Sequence, residues 1–178
     1  MVDLLSQEFG NLKTFATLSP IPSFRPWLDR QLAATEPPVL NDEEAASLRA
    51  VMPGVSPEES PLAAILAHRG WQRDPALRKA AEPVLVRLCA SYLLTEAAPN
   101  GAKRARDPVA HFHLSNGARV ERISALADTS EKGVKESATL MVNYLYDPAR
   151  IEEYHEDYAG EGKRNASTAV KRLARGRA

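Results

Sequence analysis

The sequence predicts an α+β fold that is mostly helical and carries one small sheet. Three observations lead there. The stretch from about residue 35 to 98 places apolar residues at helical spacing throughout. Only three short runs, 14–18, 109–114 and 119–123, read as strands. The chain has 178 residues, 44% of them hydrophobic and 26% charged, which is enough for one ordinary globular domain with a core of its own.

Taken in order, Val2 to Phe9 reads as the end of an amphipathic helix, with Leu4, Leu5 and Phe9 on adjacent faces and Gly10 as its stop. Thr14 to Leu18 is β-branched and aromatic, hence a strand with Ser19 at its tip. Pro20, Pro22 and Pro26 then break regular structure, and Phe24 to Leu32 forms a short helix. After Pro37-Pro38, Asn41 with Glu44 makes a capping pair for a helix through about Val51. Pro57 or Pro61 starts the next helix, which ends near Gly70. Pro75 to about Thr95 is the longest, and Pro83 inside it predicts a kink or a split. Residues 96–107 are a loop. Val109 to Leu114 and Arg119 to Ile123 alternate, and Asn116-Gly117 between them predicts a hairpin. Asp128 to Glu131 caps a helix that Val134, Ala138, Met141 and Leu145 extend to about Tyr146. Beyond Pro148 one helix runs to Tyr158, and Asn165 or Ser167 caps the last. Three strands make a marginal sheet, and the chain opens partway into an element. Both features predict a fragment whose upstream strands are missing.

Lysine plus arginine equals aspartate plus glutamate at 23 each. The balance gives no support for bulk affinity to nucleic acid. The basic run from Lys163 to Arg177 reads as a solvated helical tail, with a phosphate-binding edge as the alternative. Cys89 is the only cysteine, so no intrachain disulfide can form, which fits a reducing compartment. It lies in the apolar helix VLVRLCASYLL and reads as core. No apolar run reaches the roughly 18 residues of a membrane span. The N-terminus lacks the apolar region of a signal peptide. A cytoplasmic location is the default, with no membrane partner.

Two segments carry chemistry. Ser19 precedes Pro20-Ile21-Pro22 where a strand must end, and the segment HFHLSNG, residues 111–117, holds His111 and His113. On a strand these two histidines share a face, one way to hold zinc, but a tight site needs a third ligand. The alternative is a histidine satisfied by hydrogen bonds in the core. Ser19 lacks the flanking glycines of a nucleophile elbow, since Thr17 and Ile21 occupy those places. That argues against an acyl-enzyme hydrolase and leaves a hydrogen-bonding or proton-accepting serine, or a plain turn residue. No glycine-rich nucleotide loop is present. Tyr144 and Tyr146, placed on a helix, point to different sides and read as packing residues, one of them at a pocket wall.

Several long segments, in order along nearly the whole chain, resemble the C-terminal half of malonyl-CoA decarboxylase. They include FATLSPIPSFRPWL (15–28), LVRLCASYLL (85–94), DPVAHFHLSNGARVERI (107–123), ADTSEKG (127–133), LMVNYLYDPARIE (140–152) and YHEDYAGEGKRNAS (154–167). The resemblance implies a single partial catalytic domain over residues 1–178. Its fold would be acyltransferase-like (GNAT-like), with a small mixed sheet and a helical insertion at about 35–98. It implies conversion of malonyl-CoA to acetyl-CoA and carbon dioxide, a lyase reaction of fatty acid metabolism, with no metal and no organic cofactor. It assigns Ser19 as proton acceptor and His113 as proton donor, with Tyr144, Asn143 and His111 as candidate substrate-contacting neighbours. It is compatible with a homo-oligomer. The family usually has glycine at the positions of Ser23 and Thr139, and Asn-Trp at Ser124-Ala125. The family's N-terminal helical domain and coenzyme A pyrophosphate loop have no counterpart in the sequence. A non-catalytic acyl-CoA-binding remnant is therefore the alternative expectation, and a zinc hydrolase built on His111 and His113 a weaker one.

Overall fold

The computed structural model describes residues 13–34 and 39–176, so the expected Val2–Phe9 helix and the Pro37-Pro38 opening lie outside the described residues. Three strands and eight α-helices follow in the order β1 (Phe15–Ser19), α1 (Phe24–Ala33), α2 (Asp42–Val51), α3 (Pro61–Ala67), a 3-10 turn (Trp71–Arg73), α4 (Pro75–Thr95), α5 (Pro108–Ser115), β2 (Arg119–Ser124), α6 (Glu131–Ser137), β3 (Met141–Tyr146), α7 (Ile151–Glu161) and α8 (Thr168–Ala174). The mostly helical α+β class is as the sequence predicts.

Helix starts follow local chemistry. Asn41 and Glu44 form the expected capping box on α2. Asp74 caps α4 with Pro75 in its first turn, and Ser167 caps α8. Pro83 is accommodated inside a single α4 of 21 residues rather than splitting it. This helix is the spine of the molecule. It packs against α8, α2 and the 3-10 turn. Leu77, Ala81, Val84, Leu85, Leu88, Cys89, Tyr92 and Leu93 are buried along it. Arg87 pairs with Glu44 and donates to the Val39 carbonyl, tying α4 to the start of α2.

The sheet has the order β1-β3-β2, with both ladders antiparallel. The parallel element is a single bridge, Val120 to Ala166. Three sequence expectations are corrected here. The run 109–114 is not a strand but α5. Asp107 accepts from the amides of Val109 and Ala110, and Pro108 sits at the first helical position, so the segment starts as a helix whatever its alternation suggests. Asn116-Gly117 is not a hairpin turn but the end of that helix. The Gly117 amide bonds the Leu114 carbonyl and the Ala118 amide bonds the His113 carbonyl, a Schellman closure with Gly117 at φ +82°. Finally, the helix after Ser130 stops at Ser137. Ala138 and Thr139 take positive φ, 50° and 76°, and reverse the chain into β3. Val142, Tyr144 and Tyr146 are buried on one face of that strand. Met141 and Leu145, which had matched a helical spacing, lie on its other face. The two tyrosines therefore share a side rather than pointing apart.

The registers Ser19↔Val142, Thr17↔Tyr144 and Phe15↔Tyr146 put Phe15, Thr17 and Ser19 on the same face as the buried tyrosines. Val120 and Ile123 join that face from β2, across a bulge between Val120 and Arg122. Helix α5 covers the tyrosine end of this face, which sets up the site.

Candidate active site

Two backbone features carry the Ser19 and His113 side chains to one point. Pro20 has no amide hydrogen and the Ile21–Phe24 turn follows, so β1 must end where Ser19 still pairs with Val142. Helix α5 then lays His113 over the sheet. The Ser19 Oγ lies 3.0 Å from His113 Nε2, and both residues are buried, 6% and 8% exposed. The other ring nitrogen, Nδ1, lies 2.7 Å from the Tyr146 hydroxyl. Thr17 Oγ1, two residues back on β1, lies 3.0 Å from Ser19 Oγ. A continuous line of four polar groups results: Tyr146, His113, Ser19, Thr17.

The imidazole is also held by its faces. Tyr144 stacks on it, with ring centroids 4.3 Å apart and planes 18° apart. Phe112 meets it edge-on at 5.2 Å while remaining exposed to solvent. Burial disfavours the charged ring and lowers the His113 pKa from the ordinary imidazole value. Burial likewise raises the phenols of Tyr146 and Tyr144. At neutral pH the line therefore consists of uncharged groups. With Tyr146 donating to Nδ1, the ring proton sits on Nε2 and points at Ser19.

The other sequence-derived candidates fall elsewhere. His111 and His113 are two apart on a helix, not on a strand, and so diverge. His111 Nδ1 lies 2.8 Å from the Tyr158 hydroxyl, whose oxygen accepts from the Ala105 amide. Among the described residues no three histidine, cysteine or carboxylate side chains converge as a metal site, so the His111-x-His113 reading has no third ligand. Asn143 pairs with Leu18, on the sheet face opposite the imidazole, and its Nδ2 donates to the Thr17 carbonyl. Tyr144 is fully buried behind His113, with its hydroxyl unpartnered. Cys89 is buried and its thiol is pushed up by burial.

Sequence reasoning missed the roles of Tyr146 and Thr17. The usable signals were the alternation of MVNYLY, which reads as a strand with its tyrosines on one face, and the two-residue spacing of Thr17 and Ser19.

Comparison with known proteins adds a family to this geometry. A profile described as the malonyl-CoA decarboxylase C-terminal domain matches residues 1–178. Curated relatives named malonyl-CoA decarboxylase, mitochondrial, come from Rattus norvegicus and Mus musculus. They are 37% and 38% identical over 153 residues, which is 82% of this chain and 30% of each relative. A solved malonyl-CoA decarboxylase from Rhodopseudomonas palustris superposes with a TM-score of 0.80 at 34% identity, covering 96% of this chain and 38% of that one. Another, from Agrobacterium vitis, gives 0.77 at 38% identity, covering 97% and 38%. The chain thus spans about a third of the length of the relatives it matches.

Proposed function

Because the chain belongs to the malonyl-CoA decarboxylase family, we propose that it carries the acid–base pair that decarboxylates malonyl-CoA to acetyl-CoA, with Ser19 and His113 as the catalytic residues. The observation that carries this reading is the 3.0 Å contact between Ser19 Oγ and His113 Nε2, with Tyr146 at the far nitrogen.

Loss of carbon dioxide from a malonyl thioester breaks the bond between the α-carbon and the carboxyl carbon. The electron pair stays on the α-carbon and thioester oxygen as an enolate. Three tasks follow: strip water from the carboxylate, stabilise the enolate oxygen, and deliver one proton to the α-carbon. The Ser19 hydroxyl orients the carboxylate and accepts the hydrogen bond that positions the imidazole. His113 Nε2 gives up its proton to the α-carbon. The thioester enolate is a stronger base than the ring anion, so a neutral imidazole suffices. Tyr146 keeps its hydrogen bond to Nδ1 throughout, and water returns a proton to Nε2, leaving hydroxide. One proton is taken up per turnover. The route uses side chains alone. We read the three strands as part of an acyltransferase-like (GNAT-like) domain with a helical insertion at about 35–98. The single buried cysteine suits a reducing compartment such as the cytoplasm, while the curated relatives are named mitochondrial.

Purified protein given malonyl-CoA is expected to release acetyl-CoA. His113→Ala is expected to lower kcat by about 10²–10⁴-fold, and an unchanged kcat would refute the assignment. A second reading, acyl-CoA binding without turnover, fits the same buried line of uncharged groups, Tyr146, His113, Ser19 and Thr17. Calorimetry showing acetyl-CoA binding without turnover would select it.

A further inference from the structure

A third buried group joins the two catalytic segments. Asp107, 1% exposed, is the N-cap of α5. Its Oδ1 accepts from the amides of Val109 and Ala110, at 3.0 and 3.1 Å. Its Oδ2 reaches across 84 residues of sequence and accepts from the Ser23 amide at 3.2 Å. Ser23 closes the turn that begins just after Ser19, where the Phe24 amide bonds the Ile21 carbonyl. One carboxylate therefore grips both segments at once: the turn that ends the serine strand and the first turn of the histidine helix. His113 lies six residues further along, roughly 9 Å at the helical rise. Desolvation of this carboxylate is opposed by the three amides it serves. Nothing in acid–base catalysis by Ser19 and His113 requires a buried acid here, and a helix cap alone uses only one of its oxygens.

We infer that Asp107 is a positioning residue that sets the separation of Ser19 and His113 by holding their two segments through its two oxygens. The inference rests on the reading of Ser19 and His113 as the reacting pair. It explains how Ser19 and His113 are held in contact without a direct backbone link between β1 and α5. A shift of about 1 Å between reacting groups can cost roughly 100-fold in rate.

The test separates the cap from the clamp. In Asp107→Asn the amide oxygen still caps α5, but the NH₂ group faces the Ser23 amide, donor against donor. In Asp107→Ser the hydroxyl caps α5 and is too short to reach Ser23. Both variants are expected to keep their far-ultraviolet circular dichroism. Their kcat is expected to drop about 10–100-fold with little change in KM. In a Ser19→Ala background the same changes should cost nothing further, which a merely structural role would not produce. Independently of turnover, nitrogen-15 spectra of His113 should show a single tautomer in the parent and an averaged ring in both variants. If the parent turns over no malonyl-CoA, those spectra alone decide, so this inference and the decarboxylase reading fail separately. Unchanged spectra, equal losses with and without Ser19, or two unfolded variants would each overturn the positioning role.

Discussion

At His113 the two ring nitrogens have different partners, so each can be tested alone. Tyr146→Phe removes the hydrogen bond to Nδ1 and leaves the ring packing in place. We expect kcat to fall about 3–10-fold, the worth of one hydrogen bond, with Ser19 still in contact. Steady-state kinetics on the purified variant checks it. The protonation of the ring also enters stability. Burial holds the folded His113 below the ordinary value of 6.5, whereas the unfolded chain titrates near that value. Between those two points the unfolded state binds the extra proton. Stability is therefore flat above about pH 6.5 and falls as pH drops through the window beneath it. In His113→Gln that part of the slope should vanish, leaving the share of His111, whose pKa is also lowered. Thermal melts at half-unit steps from pH 5 to 7.5 would read it. The meeting of Ser19 with His113 was legible because the resemblance names them as a pair. Tyr146 and Asp107 were not, because their importance lies in what they touch across the fold.

The element carrying His113 shows why local alternation misled. VAHFHL alternates like a strand, yet Asp107-Pro108 in front and Gly117 behind are helix boundaries, and boundary chemistry prevailed over a six-residue pattern. Gly117 is the firmest of these signals. Its φ is +82°, and an added Cβ would lie 2.3 Å from the Ile151 carbonyl oxygen. Gly117→Ala must both strain the backbone and push α7 away. Destabilisation of about 2–4 kcal/mol is expected, measured by urea unfolding, with a loss near zero ruling out the described closure. The stretch after Ser130 misled for the opposite reason. Apolar residues at 134, 138, 141 and 145 fit a helix, but the reversal at Ala138 and Thr139 uses non-glycine residues at positive φ, which no composition rule flags.

Over the whole molecule the helical majority was readable because α2, α4 and α8 announce themselves by their caps, and α1 and α7 by the prolines at or before their first turns. The sheet was not, because its central strand β3 pairs on one side with the distant β1 and on the other with β2 across the α6 connection. Among the described residues β1 pairs on one side only, leaving an edge where Leu18 is 56% exposed. Leu18→Lys should change stability by less than about 0.5 kcal/mol and reduce self-association at high concentration, as light scattering would report. A sharp loss of stability would mean that this position is buried in the protein as it exists in solution. The same topology has a kinetic consequence. Ser19 and His113 stand 94 residues apart, and β1 pairs with β3 across most of the chain's helices in sequence. Helical signal should thus return early on refolding, while the contact between Ser19 and His113 waits for the slow closure of the most distant ladder. The ring signal of His113 is then a clock for the last event in folding.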